Sequence, residues 1–313
     1  MVCEQKRSGP LNEVKMETTR IYISANTAAV DAAMVTKDNA VRGLAEYHKI
    51  PLEQLAVIGD EVIDIPMLTI EGIGLAGAPA NAQDKVKEAV KARNGFLAQS
   101  KVLDGFLEFY EEARSRGITH IVSDRDGVLV KKGDLSRGNE FQYLALQMGA
   151  DRNPYVSILT GSGLEQNIEF MEKYGLNANL AKNQDVQSFP YLLLVENGTI
   201  HVNVLTGETI NYCEALDPDL LAKLKGEFED TVKKRIEQEV FPMLNLAWSA
   251  DYNDQAEKIY IAPKQSMTTF NIPRKFRGGS DYRGSENAAI LRKTIAGIMA
   301  ETAEKLSMPY QML

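Results

Sequence analysis

At 313 residues, with 44% hydrophobic and 25% charged side chains, the chain is long enough to bury one large core or two modest ones. Forty-three acidic against 35 basic residues give a net charge of −8, which disfavours non-specific binding to nucleic acid or to an anionic membrane. Cys3 and Cys213 are too few and too far apart for a disulfide framework or a cysteine-ligated metal site, and they suit a reducing compartment. Residues 1–16 are charged and lack a long apolar run, and no segment reaches transmembrane length, so neither a secretory signal nor a membrane span is expected. The cytoplasm is the expected location.

In chain order, a strand is expected at 19–24. Residues 37–49 carry apolar side chains at helical spacing and stop at Ile50-Pro51. A strand at 55–58, a helical turn at 65–69, a short apolar segment at 73–76 and helices at 81–92 and 103–116 come next. Gly117 then leads into a strand at 119–122. A helix near 138–149, a strand at 155–159, a helix at 163–174 and a strand at 191–195 complete the series. Strands alternating with helices predict an α/β unit with a parallel sheet covered on both faces.

After residue 198 the pattern changes. Asn197-Gly198-Thr199 matches a glycosylation acceptor, but in a cytosolic chain it reads better as the turn of a hairpin between Tyr191–Val195 and Ile200–Val204. Segments 199–204 and 208–213 form a further hairpin around Leu205-Thr206-Gly207. A long amphipathic helix at 218–239, strands at 243–249 and 258–262, and a closing helix at 286–305 predict an α+β unit, which the strand at 19–24 suits better than it suits the parallel sheet. The expected division is 34–198 for the α/β core and 1–33 with 199–313 for the second domain.

Chemistry concentrates at Ile121-Val122-Ser123-Asp124-Arg125-Asp126-Gly127-Val128-Leu129, an apolar strand ending in two carboxylates spaced i, i+2 and a glycine. Where the strand frays, both aspartates can turn to one site, and Gly127 lets backbone approach a ligand closely. Ala56-Val57-Ile58-Gly59-Asp60-Glu61-Val62-Ile63-Asp64 is a second apolar strand ending in acids. Taken singly, each piece has a plain structural reading: Asp-x-Asp-Gly as a solvated turn, Lys37 as a surface lysine. His48, His120 and His201 lack metal-ligand spacing. Gly161-Ser162-Gly163 lacks the preceding glycine of a nucleophile elbow, no Walker-type phosphate loop is present, and Gly72-Ile73-Gly74 opens no dinucleotide fingerprint. Arg274, Lys275 and Arg277 beside Gly278-Gly279 suit either a solvated charge run or contacts to an anionic substrate. Trp248 suits either core packing or the floor of a pocket.

Together the pieces resemble the haloacid dehalogenase (HAD) superfamily. Asp124-Arg125-Asp126-Gly127-Val128-Leu129 is similar to its first motif and Ser157-Ile158-Leu159-Thr160-Gly161 to its second. Lys37-Asp38-Asn39-Ala40 and Gly59-Asp60-Glu61-Val62-Ile63-Asp64 are similar to its lysine helix and its Gly-Asp-x-x-x-Asp acid loop. The resemblance spans about residues 34–198. Val128 stands where many relatives have threonine, and Ile63 replaces a common asparagine. In family order the lysine and acid loop follow the first two motifs and a cap; here they precede them. The order resembles a circular permutant with its termini moved into a C2-type cap, the rival being a fusion of two partial domains completed by exchange between protomers.

The resemblance implies a Rossmann-like core plus an α+β C2-type cap, and a Mg²⁺-dependent phosphatase. It assigns Asp124 as nucleophile and Asp126 as general acid and base. Asp124, Asp126 (through its carbonyl), Asp60 and Asp64 become the metal ligands, and Lys37, Thr160, Gly161 and Gly127 the phosphate-binding group. A small phosphorylated metabolite, by analogy with capped relatives a sugar phosphate, is the implied substrate, with neither nucleic acid nor membrane as partner, and an exposed cap sheet would support a homodimer. A phosphomutase of the phosphomannomutase kind and a catalytically silent binding or assembly subunit are the alternatives.

Overall fold

In the computed structural model the described residues are 19–23, 27–32, 36–131, 154–173, 192–204, 209–211, 218–251, 254, 256–262, 264, 267–308 and 310–312. The expected helix near 138–149 lies outside them. The strands are β1 Thr19–Ile23, β2 Thr27–Ala32, β3 Leu55–Ile58, β4 Leu75–Ala78, β5 Phe96–Leu97, β6 His120–Ser123 and β7 Tyr155–Leu159. They continue as β8 Leu192–Val195, β9 Ile200–Asn203, β10 Thr209–Asn211, β11 Ala247–Trp248, β12 Lys258–Ala262, β13 Met267–Asn271 and β14 Tyr310–Met312. The helices are α1 Lys37–His48, α2 Ile65–Leu68, α3 Asp84–Ala92, α4 Val102–Ser115 and α5 Leu164–Lys173, then α6 Pro218–Lys223, α7 Glu229–Arg235, α8 Phe241–Leu244 and α9 Glu286–Lys305. The chain divides into two units, Val35–Tyr212 and Met1–Met34 with Cys213–Leu313.

In the first of these units the unbroken apolar strands follow from a sheet covered on both faces. Its strand order is β10-β9-β8-β7-β6-β3-β4-β5, parallel from β8 through β5. Successive side chains alternate faces. Ile58, Ile121, Val156, Ile158 and Leu193 pack with Phe106 and Phe109 of α4 and Phe170 of α5. Leu55, Val57, Val122, Leu159 and Leu194 pack on the other face with Val41 and Leu44 of α1, Met67 and Leu68 of α2, and Val86 and Val90 of α3. Each such side chain, buried completely, contributes about 1.5–3 kcal/mol by leaving water. Because β3, β6 and β7 are parallel neighbours, the residues that follow them emerge at one edge of the sheet. This is the Rossmann-like α/β arrangement.

The hairpin expected of the second domain is part of this sheet instead. β9 pairs antiparallel with β8, and β10 pairs antiparallel with β9. The turn before β9 places Glu196, Asn197 and Gly198 at positive φ. The boundary therefore falls at 212/213 and not at 198, because backbone pairing to β8 outweighs the change in local pattern that suggested the earlier division.

Two histidines on these strands are held neutral. Burial pushes His201 on β9 down to about 4, with the charge of His48 acting the same way against a backbone hydrogen bond involving Gly198. Burial likewise lowers His120 on β6, which stacks on Tyr155 at 4.8 Å between ring centroids, to about 4. A histidine that resists protonation when folded stabilises the fold above its unfolded pKa of about 6.5, and that contribution is lost as pH falls toward 4. For His201, which is 5% exposed, the loss amounts to about 3 kcal/mol. A His201→Gln variant should show a flatter decline of urea midpoint between pH 6.5 and 4 than the wild type; parallel declines would contradict the assignment.

The other unit is built on a sheet of order β11-β12-β13-β2-β1-β14, antiparallel except for the β1–β14 and β11–β12 pairs. Helix α9 starts at Ser285, whose side chain accepts from the Ala288 amide. Phe228, Val232 and Ile236 bury against Phe270 of β13 and against Leu291, Ile295 and Met299 of α9. The segment from α6 to α8 is helical throughout, with π-helical turns at Leu224–Phe228 and Ile236–Val240.

Here the expectation of a strand at 243–249 is corrected. Pro242 sits in the first turn of α8, where its missing N–H costs nothing, and Asn245 ends the helix at φ 53°. Only Ala247–Trp248 is extended. Strands β2, β13 and β14 were not expected. β2, Thr-Ala-Ala-Val-Asp-Ala, has weak strand propensity and is held by pairing to β1 on one side and β13 on the other.

Candidate active site

Each functional side chain is delivered by a local feature of the sequence. Thr36 caps α1 by accepting from the Asn39 amide at 3.2 Å, which starts the helix at Lys37 and sets that residue in its first turn. The acid loop after β3 folds back on itself. Asp64, in a single 3₁₀ turn at Val62–Asp64, accepts the amides of Asp60 and Glu61 through Oδ2, both at 2.9 Å. A Cβ on Gly59 would lie 2.4 Å from Asp64 Cβ, so only glycine lets the loop close this tightly. After β6 the chain turns at Arg125–Val130, with the amides of Leu129 and Val130 donating to the Arg125 carbonyl, both at 3.0 Å.

These loops converge on a buried charge cluster. Lys37 Nζ donates to Asp64 Oδ1 at 2.6 Å and to Asp124 Oδ1 at 2.7 Å. Asp60, Asp64 and Asp124 offer carboxylate oxygens within 4.8 Å of one another, and all three residues are buried. Burial works against the Lys37 ammonium, but the attraction of Asp124 and Asp64 and their hydrogen bonds outweigh it, holding the lysine above its ordinary range. Burial pushes Asp124 up to about 7; Asp64 and Asp126 push the same way, and Lys37 opposes them.

One lysine against three buried carboxylates leaves excess negative charge in a poorly solvated place, which favours a further cation. The donors are all hard oxygens and the cluster contains no histidine or cysteine, so the set fits a hard divalent ion such as Mg²⁺ better than a soft one. Asp64 already accepts three hydrogen bonds and braces the loop, whereas Asp60 comes within reach of the first-motif turn. A Cβ at Gly127 would sit 2.1 Å from Asp60 Oδ2, and Gly127 is at φ 91°, so two independent constraints demand glycine. The Gly127 amide donates within the turn to the Val130 carbonyl at 2.7 Å. This occupies the N–H expected to bind phosphate.

Thr160 and Gly161 follow β7, the neighbour of β6. The Thr160 amide donates to the Leu194 carbonyl at 2.9 Å, and its hydroxyl accepts from the Ser162 amide at 3.2 Å, which leaves the hydroxyl proton to be donated elsewhere. Arg274, Lys275 and Arg277 lie in the other unit. There Arg277 Nε pairs with Glu257 Oε2 at 2.8 Å, and the Lys275 carbonyl accepts from the Glu257 amide at 2.8 Å. Trp248, in the same unit, donates to Glu237 at 2.6 Å and packs against Phe241 and Phe270.

Sequence reasoning missed the residues that hold the turn. Asn81 donates to the Gly127 carbonyl at 2.8 Å and accepts from the Val102 amide at 2.7 Å. Arg125 reaches Asp126 Oδ2 with Nε at 3.0 Å and Nη2 at 2.6 Å, Asn167 Oδ1 with Nη1 at 2.7 Å and Ser162 Oγ with Nη2 at 2.9 Å. The available signal was an arginine between two acids at the end of an apolar strand, where burial obliges it to find partners.

Residues 11–106 match the family model of haloacid dehalogenase-like hydrolases. A stretch of 84 residues, 27% of this chain, is 33% identical to a phosphoglycolate phosphatase of Methanothrix thermoacetophila and covers 35% of that protein's length. No solved structure matches the chain significantly. The stretch matched by the family model carries both Lys37 and the Asp60–Asp64 loop, and the sheet sets that loop beside the strand bearing Asp124, so this part of the chain is similar to the haloacid dehalogenase-like hydrolases.

Proposed function

We propose that the chain is a divalent-metal-dependent phosphomonoester hydrolase that acts through an aspartyl phosphate on Asp124. The observation that carries this reading is the Lys37 ammonium bridging Asp124 and Asp64 within a cluster of three buried carboxylates. Asp124 attacks phosphorus while Asp126 gives a proton to the departing oxygen; Asp126 then takes a proton from the water that attacks the acyl phosphate. Lys37 offsets the charge of the nucleophile and of the phosphoryl oxygens, and the Thr160 hydroxyl with the Gly161 amide holds those oxygens. Mg²⁺ held by Asp60, Asp124 and the Asp126 carbonyl would supply the positive charge that two anions meeting at phosphorus require.

The lysine and acid loop precede the first motif in the chain, yet β3 pairs directly with β6. That adjacency supports a circularly permuted core, with the Met1–Met34 and Cys213–Leu313 unit as a C2-type cap. The substrate reading is a small phosphorylated metabolite, with sugar phosphates the first class to test and phosphoglycolate, named for the relative, beside them. Release of inorganic phosphate from a panel of phosphorylated sugars, sugar acids and nucleotides should require Mg²⁺ and cease with EDTA. Undiminished release in EDTA, or none from any member, would overturn the proposal.

A further inference from the structure

Arg125 is 9% exposed and sits between the two aspartates of the first motif, yet it points to neither Lys37 nor the three-carboxylate cluster in any contact described above. Its guanidinium instead joins three elements: the turn after β6 through Asp126, the loop after β7 through Ser162, and α5 through Asn167. Phe170 of α5 lies under it, with the guanidinium carbon 5.3 Å from the ring centroid. Asn167 is fully buried and fixed in turn by donating to the Gly163 carbonyl at 2.8 Å. The planar group therefore has its orientation set on the side away from Asp126 before it touches that residue.

Both bonds to Asp126 go to Oδ2, which leaves Oδ1 outside the grip of the guanidinium. A carboxyl at a turn would otherwise rotate about its χ angles, and proton transfer to a leaving oxygen requires placement within hydrogen-bond reach. From this geometry we infer that Arg125 is a positioning residue: it locks Asp126 by Oδ2, so that Oδ1 delivers the proton as the Asp124–phosphorus bond forms and the bond to the leaving oxygen breaks. The inference rests on the phosphatase reading above.

The test separates positioning from folding by leaving-group dependence. A poor leaving group such as phenolate needs the proton, whereas 4-nitrophenolate departs with little help, and kcat/KM reports the steps through its departure. Arg125→Gln should lower kcat/KM for phenyl phosphate at least about a hundredfold and for 4-nitrophenyl phosphate by less than about tenfold. Arg125→Lys, which keeps the charge but not the fork, should fall between. Should Arg125→Gln fail to fold, Ser162→Ala carries the test, with a smaller loss in the same direction. Equal losses on the two esters, or no loss on either, would overturn the positioning role while leaving the phosphatase reading intact. A wild type that hydrolyses neither ester nor any of the phosphorylated metabolites above removes that reading and this inference with it; one that hydrolyses the metabolites but neither ester overturns this inference alone.

Discussion

Asp124→Asn is expected to lower phosphate release at least about 10⁴-fold, the order of loss that follows removal of a nucleophile, while the protein stays folded. Asparagine keeps the shape of the side chain and removes one of three negative charges from a site with a single lysine. Since burial already pushes Asp124 up to about 7, the neutral amide relieves a cost that the native carboxylate bears, and the thermal midpoint should hold or rise. Loss of activity with a retained midpoint is the signature to measure. A variant that keeps more than a few per cent of its activity, in a preparation free of contaminating phosphatase, would remove Asp124 from the mechanism.

Lys37→Met should show the opposite pairing of effects. Methionine fills a similar volume but leaves Asp64 and Asp124 buried without their cation, a situation that costs about 3–5 kcal/mol. The metal-free variant should therefore be strongly destabilised, and Asp124, no longer held down by Lys37, should favour its protonated, non-nucleophilic form. Adding Asp124→Asn to Lys37→Met should recover stability, because the two changes act on one interaction and do not add. Urea unfolding of the wild type, both single variants and the double variant gives that coupling directly. Additive losses would mean that the 2.7 Å contact contributes little to the fold.

The difference between these two predictions shows how the site divides its work. Lys37 is both a structural counterion and a participant in charge balance, so its removal disturbs folding and chemistry together. In the proposed mechanism Asp124 is the nucleophile, and its burial makes it structurally expensive. Asp64 lies between them, with three hydrogen bonds accepted and none of its side chain exposed. Its main service is to hold the acid loop in the conformation that places Asp60 against Gly127.

Much of the core was legible from local pattern. Strands at 55–58 and 155–159 and the helix at 286–305 coincide with β3, β7 and α9, because apolar runs and helical periodicity report burial directly. The acids at 60, 64 and 124 were legible as well, since carboxylates at the ends of apolar strands have few reasons to be there. What was not legible depended on partners distant in the chain. Ala28, Ala29 and Val30 carry no strand signal that survives without β1 and β13 beside them. The hairpin between 191–195 and 200–204 was legible from its Asn-Gly turn, but the division at 198 set residues 200–211 in the second domain, and the pairing of β9 to β8 puts them in the core sheet.

Residue type and spacing were enough to predict the parallel α/β core and the edge of the sheet that gathers its acids, because burial, periodicity and charge are carried by the residues themselves. Tertiary structure alone decided that Asp64 braces where Asp60 faces Gly127, that the Gly127 amide turns inward, and that Arg125 grips Asp126. The grip of Arg125 and the placement of Asp60 rest on atoms far apart in the chain, Arg125 with Asn167 and Asp60 with Gly127. No local pattern encodes which of several polar partners a folded chain will bring within 3 Å.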